Sequence, residues 1–162
     1  MRGLTLTAIL VAWQTLCVAA DPFTANVQPF QSVVSRMWVQ RAVEGAAARL
    51  RKPECARVLA DFSDIEGRAL ADKLKDLSPV DYLSNGMVFF DGTDQRSCES
   101  NDRLAFTHRG SHVVFICPAA FVATPHLREI TIIHEMLHSL GLGENPPSSR
   151  DITRQVIARC GP

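Results

Sequence analysis

The stretch of the chain best suited to chemistry is the pentad His134-Glu135-Met136-Leu137-His138. Residues four apart on an α-helix lie on the same face, so the two imidazoles can bind one ion. Glu135 follows the first histidine and can reach a metal-bound water without binding the metal. A hydrolytic zinc site needs neutral nitrogen ligands, a base and an open coordination position. The pentad therefore predicts a zinc-dependent hydrolase, with His134 and His138 as metal ligands and Glu135 as the catalytic general base.

The predicted third metal ligand is Glu144, six residues after His138. On a continuous helix its side chain would point about 240° away from His138. The helix must therefore end first, and Gly141 and Gly143 permit the chain to reverse. Asp151 is the competing carboxylate. Three further histidines are weaker nitrogen candidates: His108, His112 and His126.

Helices must precede and support this site. Residues 31–51 contain no proline and show helical spacing of apolar residues, and a short helix is expected around residues 55–62. Ser63-Asp64-Ile65-Glu66 fits a capping box, which predicts a helix from there to about Leu77.

The middle of the chain has the pattern of a small sheet. Residues 87–90 predict a strand after the Asn85-Gly86 turn, and residues 103–107 and 112–117 predict a hairpin. Thr124-Pro125 predicts the start of the motif helix, which we expect to run to about Leu140 with Gly141 as its terminator. A last helix is expected at 150–160, with Ile152, Val156 and Ile157 facing inward. The predicted fold class is α+β.

The N-terminus predicts export. Arg2, the apolar run 4–16 and the small residues before Asp21 are typical of a signal peptide, which assigns residues 1–20 to the signal and 21–162 to a single domain. The chain carries 17 basic and 17 acidic residues, which gives no electrostatic reason to expect nucleic acid or an anionic membrane as partner. We expect a secreted monomer, extracellular or periplasmic, that does not bind a membrane after signal cleavage.

Cysteine usage agrees with an oxidising compartment. Cleavage of the signal removes Cys17 and leaves four cysteines, an even number that predicts two disulfide bonds. Of the three possible pairings, we favour Cys98 with Cys117 and Cys55 with Cys160, because the second would tie an early helix to the C-terminus.

At these residues the chain resembles the zincin metallopeptidases. The spacing His-x-x-x-His-x-x-Gly-x-x-Glu is similar to the long motif of the metzincins, with Glu144 in place of their third histidine. Residues 105–107 and 112–118 resemble the edge strand of deuterolysin-like enzymes. The resemblance implies a zincin-like fold, with N-terminal helices, a small sheet, the motif helix and a short C-terminal helix. It also implies a zinc endopeptidase whose edge strand binds an extended peptide or protein substrate.

The chain also departs from these families. No methionine follows Met136, although metzincins place a methionine turn under the zinc, and no tyrosine or histidine follows Glu144 to stabilise an oxyanion. Tyr82, Arg150 and Arg154 are the candidates for that role. These departures motivate an alternative hypothesis, a secreted zinc-stabilised binding or effector domain that cleaves nothing.

Overall fold

The computed structural model describes residues 23–100 and 102–161, so the predicted signal peptide at residues 1–20 lies outside the described residues. Within the described ranges the chain forms an α+β fold, the class that the sequence predicted, with seven α-helices and a three-stranded sheet. The helices are α1 Val33–Leu50, α2 Pro53–Ala56, α3 Leu70–Lys73, α4 Pro79–Asn85, α5 Pro118–Ala123, α6 Arg128–Ser139 and α7 Ser149–Cys160. The strands are β1 Val88–Asp91, β2 Ala105–Thr107 and β3 Val113–Ile116. Short 3₁₀ helices occupy Arg57–Leu59, Arg96–Cys98 and Pro125–Leu127.

The sheet has the order β1-β3-β2, with β1 parallel and β2 antiparallel to β3. The predicted hairpin is therefore present, and it places β2 at one edge of the sheet. Side chains alternate between the two faces, so Phe89 and Val114 are buried against the helices. Phe106 and Phe115 are only partly buried, and their rings stack with centroids 5.2 Å apart.

The motif helix α6 runs through the centre of the molecule. It packs against α1 on one side, α7 on another and β2 on a third. Every residue from Ile132 to Ser139 is buried. A helix covered on all sides is held by surrounding contacts, and replacing a core residue such as Ile133 by alanine removes about 2–5 kcal/mol of stability.

Both favoured disulfide pairings are present. Cys55 is bonded to Cys160 and Cys98 to Cys117. The first joins α2 to the last residue of α7, and the second joins the 3₁₀ helix at Arg96–Cys98 to the end of β3. Among the described residues, no helix is both long and apolar enough to cross a membrane.

The long helix predicted from Ser63 to Leu77 is wrong. The Asp64 carboxylate accepts hydrogen bonds from the backbone N–H groups of Glu66 and Arg68, and Ser63 pairs with Ala69 in an isolated bridge. Aspartate side chains stabilise turns by this local bonding as readily as they cap helices. Gly67 takes a φ of +79°, which completes the turn, and only the four residues of α3 are helical.

The predicted start of the motif helix is also wrong. Thr124 makes no capping hydrogen bond, and Thr124-Pro125 begins a 3₁₀ turn instead of α6. The Arg128 side chain donates to the carbonyls of Phe121 and Val122, and these bonds hold α6 against the unpredicted α5.

Helix α4 was missed as well, although Ser78 caps it with Pro79 in the first turn. In α7, Ile152 and Val156 are buried as expected but Ile157 is exposed.

Candidate metal centre

Three residues converge at the C-terminal end of α6. The Nε2 atoms of His134 and His138 are 3.0 Å apart. Oε1 of Glu144 lies 3.2 Å from His138 Nε2 and 3.9 Å from His134 Nε2. These separations suit three donor atoms that share one ion through bonds of about 2 Å. His134, His138 and Glu144 thus form a group that could hold a metal ion.

Hydrogen bonds on the far side of each imidazole orient the two rings. His138 Nδ1 lies 2.9 Å from the carbonyl oxygen of Leu142, and His134 Nδ1 lies 3.0 Å from the Thr153 hydroxyl of α7. A carbonyl can only accept, so the proton of neutral His138 is on Nδ1 and the Nε2 lone pair faces the cluster. Burial, together with His138, lowers the pKa of His134 to about 3, which keeps that ring neutral. Rings oriented in this way are suited to bind a metal through Nε2.

The turn after α6 delivers Glu144 to the histidines. Leu142 N–H donates to the Leu137 carbonyl and Gly141 N–H to the His138 carbonyl, which is the hydrogen-bond pattern of a Schellman motif. Gly141 has a φ of +112°, in the region that favours glycine. The predicted terminator is therefore confirmed. The same turn also directs the Leu142 carbonyl back towards His138.

Glu135 lies beside this group with an unsatisfied oxygen. Its side chain is buried, and Oε2 has no hydrogen-bond partner among the described residues. Burial and, to a smaller extent, the Glu144 carboxylate raise the pKa of Glu135 to about 8, while Arg103 and a hydrogen bond from the Thr107 backbone amide act in the opposite direction. A buried carboxyl oxygen without a hydrogen-bond partner costs stability, and such groups are typical of functional sites.

The site opens into a cleft of about 580 Å³ between α6, the turn after it and β2. All four predicted site residues line this cleft, and so do residues 102–109 along the length of β2. Cys117 N–H donates to the Leu104 carbonyl. Hydrogen-bonded pairs alternate along antiparallel strands, so the backbone groups of Ala105 and Thr107 point away from β3 and towards the cleft. The free edge of the sheet therefore faces the candidate metal centre.

The other predicted candidates lie elsewhere. Asp151 is exposed at the start of α7, where it exchanges hydrogen bonds with Ser148 and pairs with Arg154. Arg150 and Arg154 do not line the cleft, and the Tyr82 hydroxyl is buried 2.9 Å from Ser139 Oγ. Neither Asp151 nor any of these three oxyanion candidates is part of the cluster.

The remaining histidines also lie outside the three-residue group. His126 is exposed in the 3₁₀ turn before α6, and His112 Nδ1 lies 3.4 Å from the Tyr82 hydroxyl. His108 is exposed and lines the cleft without joining the cluster.

Sequence reasoning missed three side chains that serve this region. Thr153 holds His134 from α7, and no feature of the sequence indicated that the closing helix would face the motif helix at that position. Arg103 and Arg109 line the cleft at the two ends of β2. They could have been found, since they bracket the strand predicted at residues 103–107.

Comparisons of the chain with protein-family models, curated proteins and solved structures find no match. The chemistry available to the site therefore follows from its own residues. These are two imidazoles and a carboxylate around one point, a buried carboxyl group beside them and the outer edge of β2 along the same cleft.

Proposed function

We propose that the chain is an exported zinc-dependent endopeptidase, with His134, His138 and Glu144 as zinc ligands and Glu135 as general base. One observation carries the proposal. The three-residue group, the buried Glu135 with its unpartnered Oε2, and the edge strand β2 all line one cleft. The two disulfide bonds support an oxidising, extracytoplasmic location.

The donor set supports zinc. Two histidines and one carboxylate, with a position left open to solvent, form a ligand set used by catalytic zinc. The same donors can hold ferrous iron in oxygenases. The buried carboxyl of Glu135 favours zinc, because hydrolysis requires a base beside the metal and oxygen activation does not.

The metal site and Glu135 have different roles in the proposed hydrolysis. A zinc ion at this site would act as a Lewis acid and lower the pKa of water to about 7. Glu135 would take a proton from the attacking water and later return it to the leaving amine. Protein burial alone favours the protonated form of Glu135, whereas a nearby cation favours the carboxylate that a base requires.

The free edge of β2 supports a peptide as substrate. The backbone groups of Ala105 and the Thr107 carbonyl point into the cleft, and an extended peptide can pair with them as an added strand. Pairing with backbone groups holds the substrate main chain in place for many different side chains. A peptide that lies along the whole of β2 passes the metal site on both sides, which suits an endopeptidase.

The decisive experiment compares the wild-type protein with Glu135→Gln, a nearly isosteric change that removes the base. We expect both proteins to bind one zinc per chain by metal analysis. We expect the variant to cleave a denatured protein substrate at least about 100-fold more slowly, because general base catalysis contributes that much. Equal cleavage by the two proteins would contradict the proposal. Zinc binding with no cleavage by the wild type would identify the non-catalytic zinc-stabilised domain instead.

A further inference from the structure

Two arginines at the ends of the edge strand are not used by the proposed chemistry. Arg103 precedes β2 by two residues and Arg109 follows it by two. Both are exposed and both line the cleft. Neither guanidinium makes a hydrogen bond or an ion pair with another residue in the described part of the chain. Arg49 and Arg159, by contrast, form ion pairs with Glu129 and Asp61.

Both arginines lie close to the catalytic groups. Arg103 lines the cleft together with His134, Glu135 and His138. Nη1 of Arg109 lies 3.5 Å from the point that a Cβ on Gly143 would occupy, next to Glu144. The two cations therefore border the same cleft at opposite ends of β2.

Their charge is only partly balanced within the cleft. Asp102 is the remaining carboxylate of the lining, and its negative charge offsets one of the two guanidinium charges. Glu135 and Glu144 belong to the metal centre, where a dication would offset both of them. The loaded cleft thus presents two unpaired guanidinium groups to whatever binds there. Guanidinium binds a carboxylate through paired charge-assisted hydrogen bonds.

We propose that Arg103 and Arg109 make the cleft selective for acidic peptides, by binding carboxylate side chains on both sides of the cleaved bond. The inference rests on the proposed function, because it names the substrate class of the same cleft. The two arginines flank β2 and are six residues apart in the sequence, which sets an upper limit of about 20 Å on the backbone distance between them. A substrate segment of about six residues, with Asp or Glu towards both ends, matches that span.

The first measurement separates recognition from cleavage. Zinc-loaded Glu135→Gln protein is titrated with fluorescent eight-residue peptides that carry Glu, Gln or Lys at the two outer positions, and binding is followed by anisotropy. We expect the Glu peptide to bind about 10-fold more tightly than its Gln counterpart, and the Lys peptide to bind most weakly. The preference should shrink as salt rises from 50 to 500 mM, because exposed charges are screened.

Variants assign the preference to the two side chains. Arg103→Gln and Arg109→Gln, made in the Glu135→Gln background, should each weaken binding of the Glu peptide several-fold and leave the Gln peptide unchanged. Arg57→Gln is the matched control, since Arg57 is exposed and lies outside the cleft. It should change neither affinity.

The outcomes distinguish the two proposals. Equal binding of the Glu and Gln peptides, or no binding of any peptide, would overturn the acidic preference. Charge-dependent binding without wild-type cleavage of the same peptides would support the preference and contradict the peptidase. If Arg103→Gln in the wild-type background slows kcat equally for both peptides, Arg103 stabilises the transition state and does not select the substrate.

Discussion

Two carboxylates compete for the role of third metal ligand, and their partners distinguish them. Oε1 of Glu144 faces the Nε2 atoms of both histidines, whereas Asp151 is bonded to Ser148 and Arg154 on the outside of α7. The capping bonds of Asp151 are those expected at the N-terminus of a helix. Its carboxylate is therefore satisfied without a metal, and the Glu144 carboxylate is not.

Replacing each carboxylate by its amide tests this distinction. We expect Glu144→Gln to weaken zinc binding by more than about 100-fold, because even residues that only support a ligand cost 10- to 100-fold. Asp151→Asn should leave zinc affinity unchanged, and it serves as the matched control. Competition with a zinc-binding dye of known affinity measures both. A larger loss in Asp151→Asn than in Glu144→Gln would reverse the ligand assignment.

Whether a site residue could be predicted depends on how far apart in the sequence the residues are that fix its position. His134 and His138 were predictable because helix geometry alone places residues four apart on one face. Glu144 required one further step, the reversal at Gly141. Thr153, Arg103 and Arg109 are brought to the site by the packing of α7 and β2 around α6, and spacing along the chain carries no information about that packing.

At the scale of elements, the C-terminal end of α6 connects the motif helix to the third ligand, Glu144, and packs against the loop around Asp64. A Cβ added to Gly141 would lie 3.3 Å from the Cβ of Asp64, so this turn packs closely against that loop. Gly110 N–H donates to the His138 carbonyl, which ties the β2–β3 turn to the same end of the helix. One helix terminus thus fixes the edge strand and the ligand carboxylate relative to each other.

Gly141→Ala should therefore damage both stability and metal binding. A side chain at a φ of +112° costs about 1–3 kcal/mol of unfolding free energy, and the turn that delivers Glu144 must shift. Gly67→Ala is the matched control, because Gly67 also has positive φ but its Cβ would meet nothing within 4 Å. That control should cost about 1 kcal/mol and keep full zinc affinity. Urea unfolding and zinc titration measure the two effects, and unchanged zinc affinity in Gly141→Ala would argue against this positioning role.

The elements that sequence reasoning misassigned share one physical cause. The Ser63–Glu66 pattern fits a helix cap and also an aspartate-stabilised turn, and Lys73 and Arg68 pair with Asp64 in the turn. Pairing with Lys73 occurs only once α3 has folded back on the loop. Likewise Thr124-Pro125 has the residue types of a helix start, yet Arg128 begins α6 by bonding to the end of α5. Local patterns leave such choices open, and tertiary contacts decide them.

At the scale of the whole molecule, two connections fasten α7 to the early part of the chain. Cys55–Cys160 closes a loop with a sequence separation of 105 residues, and Asp61 accepts hydrogen bonds from Gln155 and Arg159 of α7. Helix α7 carries Thr153, which orients His134. The connections at the far end of the helix therefore support the metal centre.

The two disulfide bonds should contribute unequally to stability. A cross-link stabilises chiefly by restricting the unfolded chain, and Cys98–Cys117 spans only 19 residues. On loop length alone, replacing Cys55 and Cys160 by alanine should cost about 1.5 kcal/mol more than replacing Cys98 and Cys117. Urea unfolding of the two double variants measures the difference. A greater loss from the Cys98–Cys117 pair would show that loop closure does not dominate.

Acid should destabilise the protein through the aspartates that hold its loops in place. The Lys73 ammonium, the backbone amides of Arg68 and Glu66 and the Arg68 side chain hold the pKa of Asp64 well below its usual range, and Arg159 lowers the pKa of Asp61. When folding lowers the pKa of a carboxyl group, that group stabilises the protein fully at any pH above its pKa in the unfolded chain, which is about 4. The stabilisation is lost as the pH falls from there through the lower pKa of the folded state. The unfolding free energy should therefore decline between about pH 5 and pH 2.

Asp64→Asn tests the acid sensitivity directly. The variant should be less stable than the wild type at pH 6, and its stability should fall less steeply towards pH 3, because one titrating group is gone. Asp76→Asn, at an exposed position with no ion pair in the described part of the chain, should follow the wild-type slope. Urea unfolding with a chelator present keeps metal binding out of the comparison. Parallel slopes for Asp64→Asn and the wild type would show that the Asp64 turn does not contribute to acid unfolding.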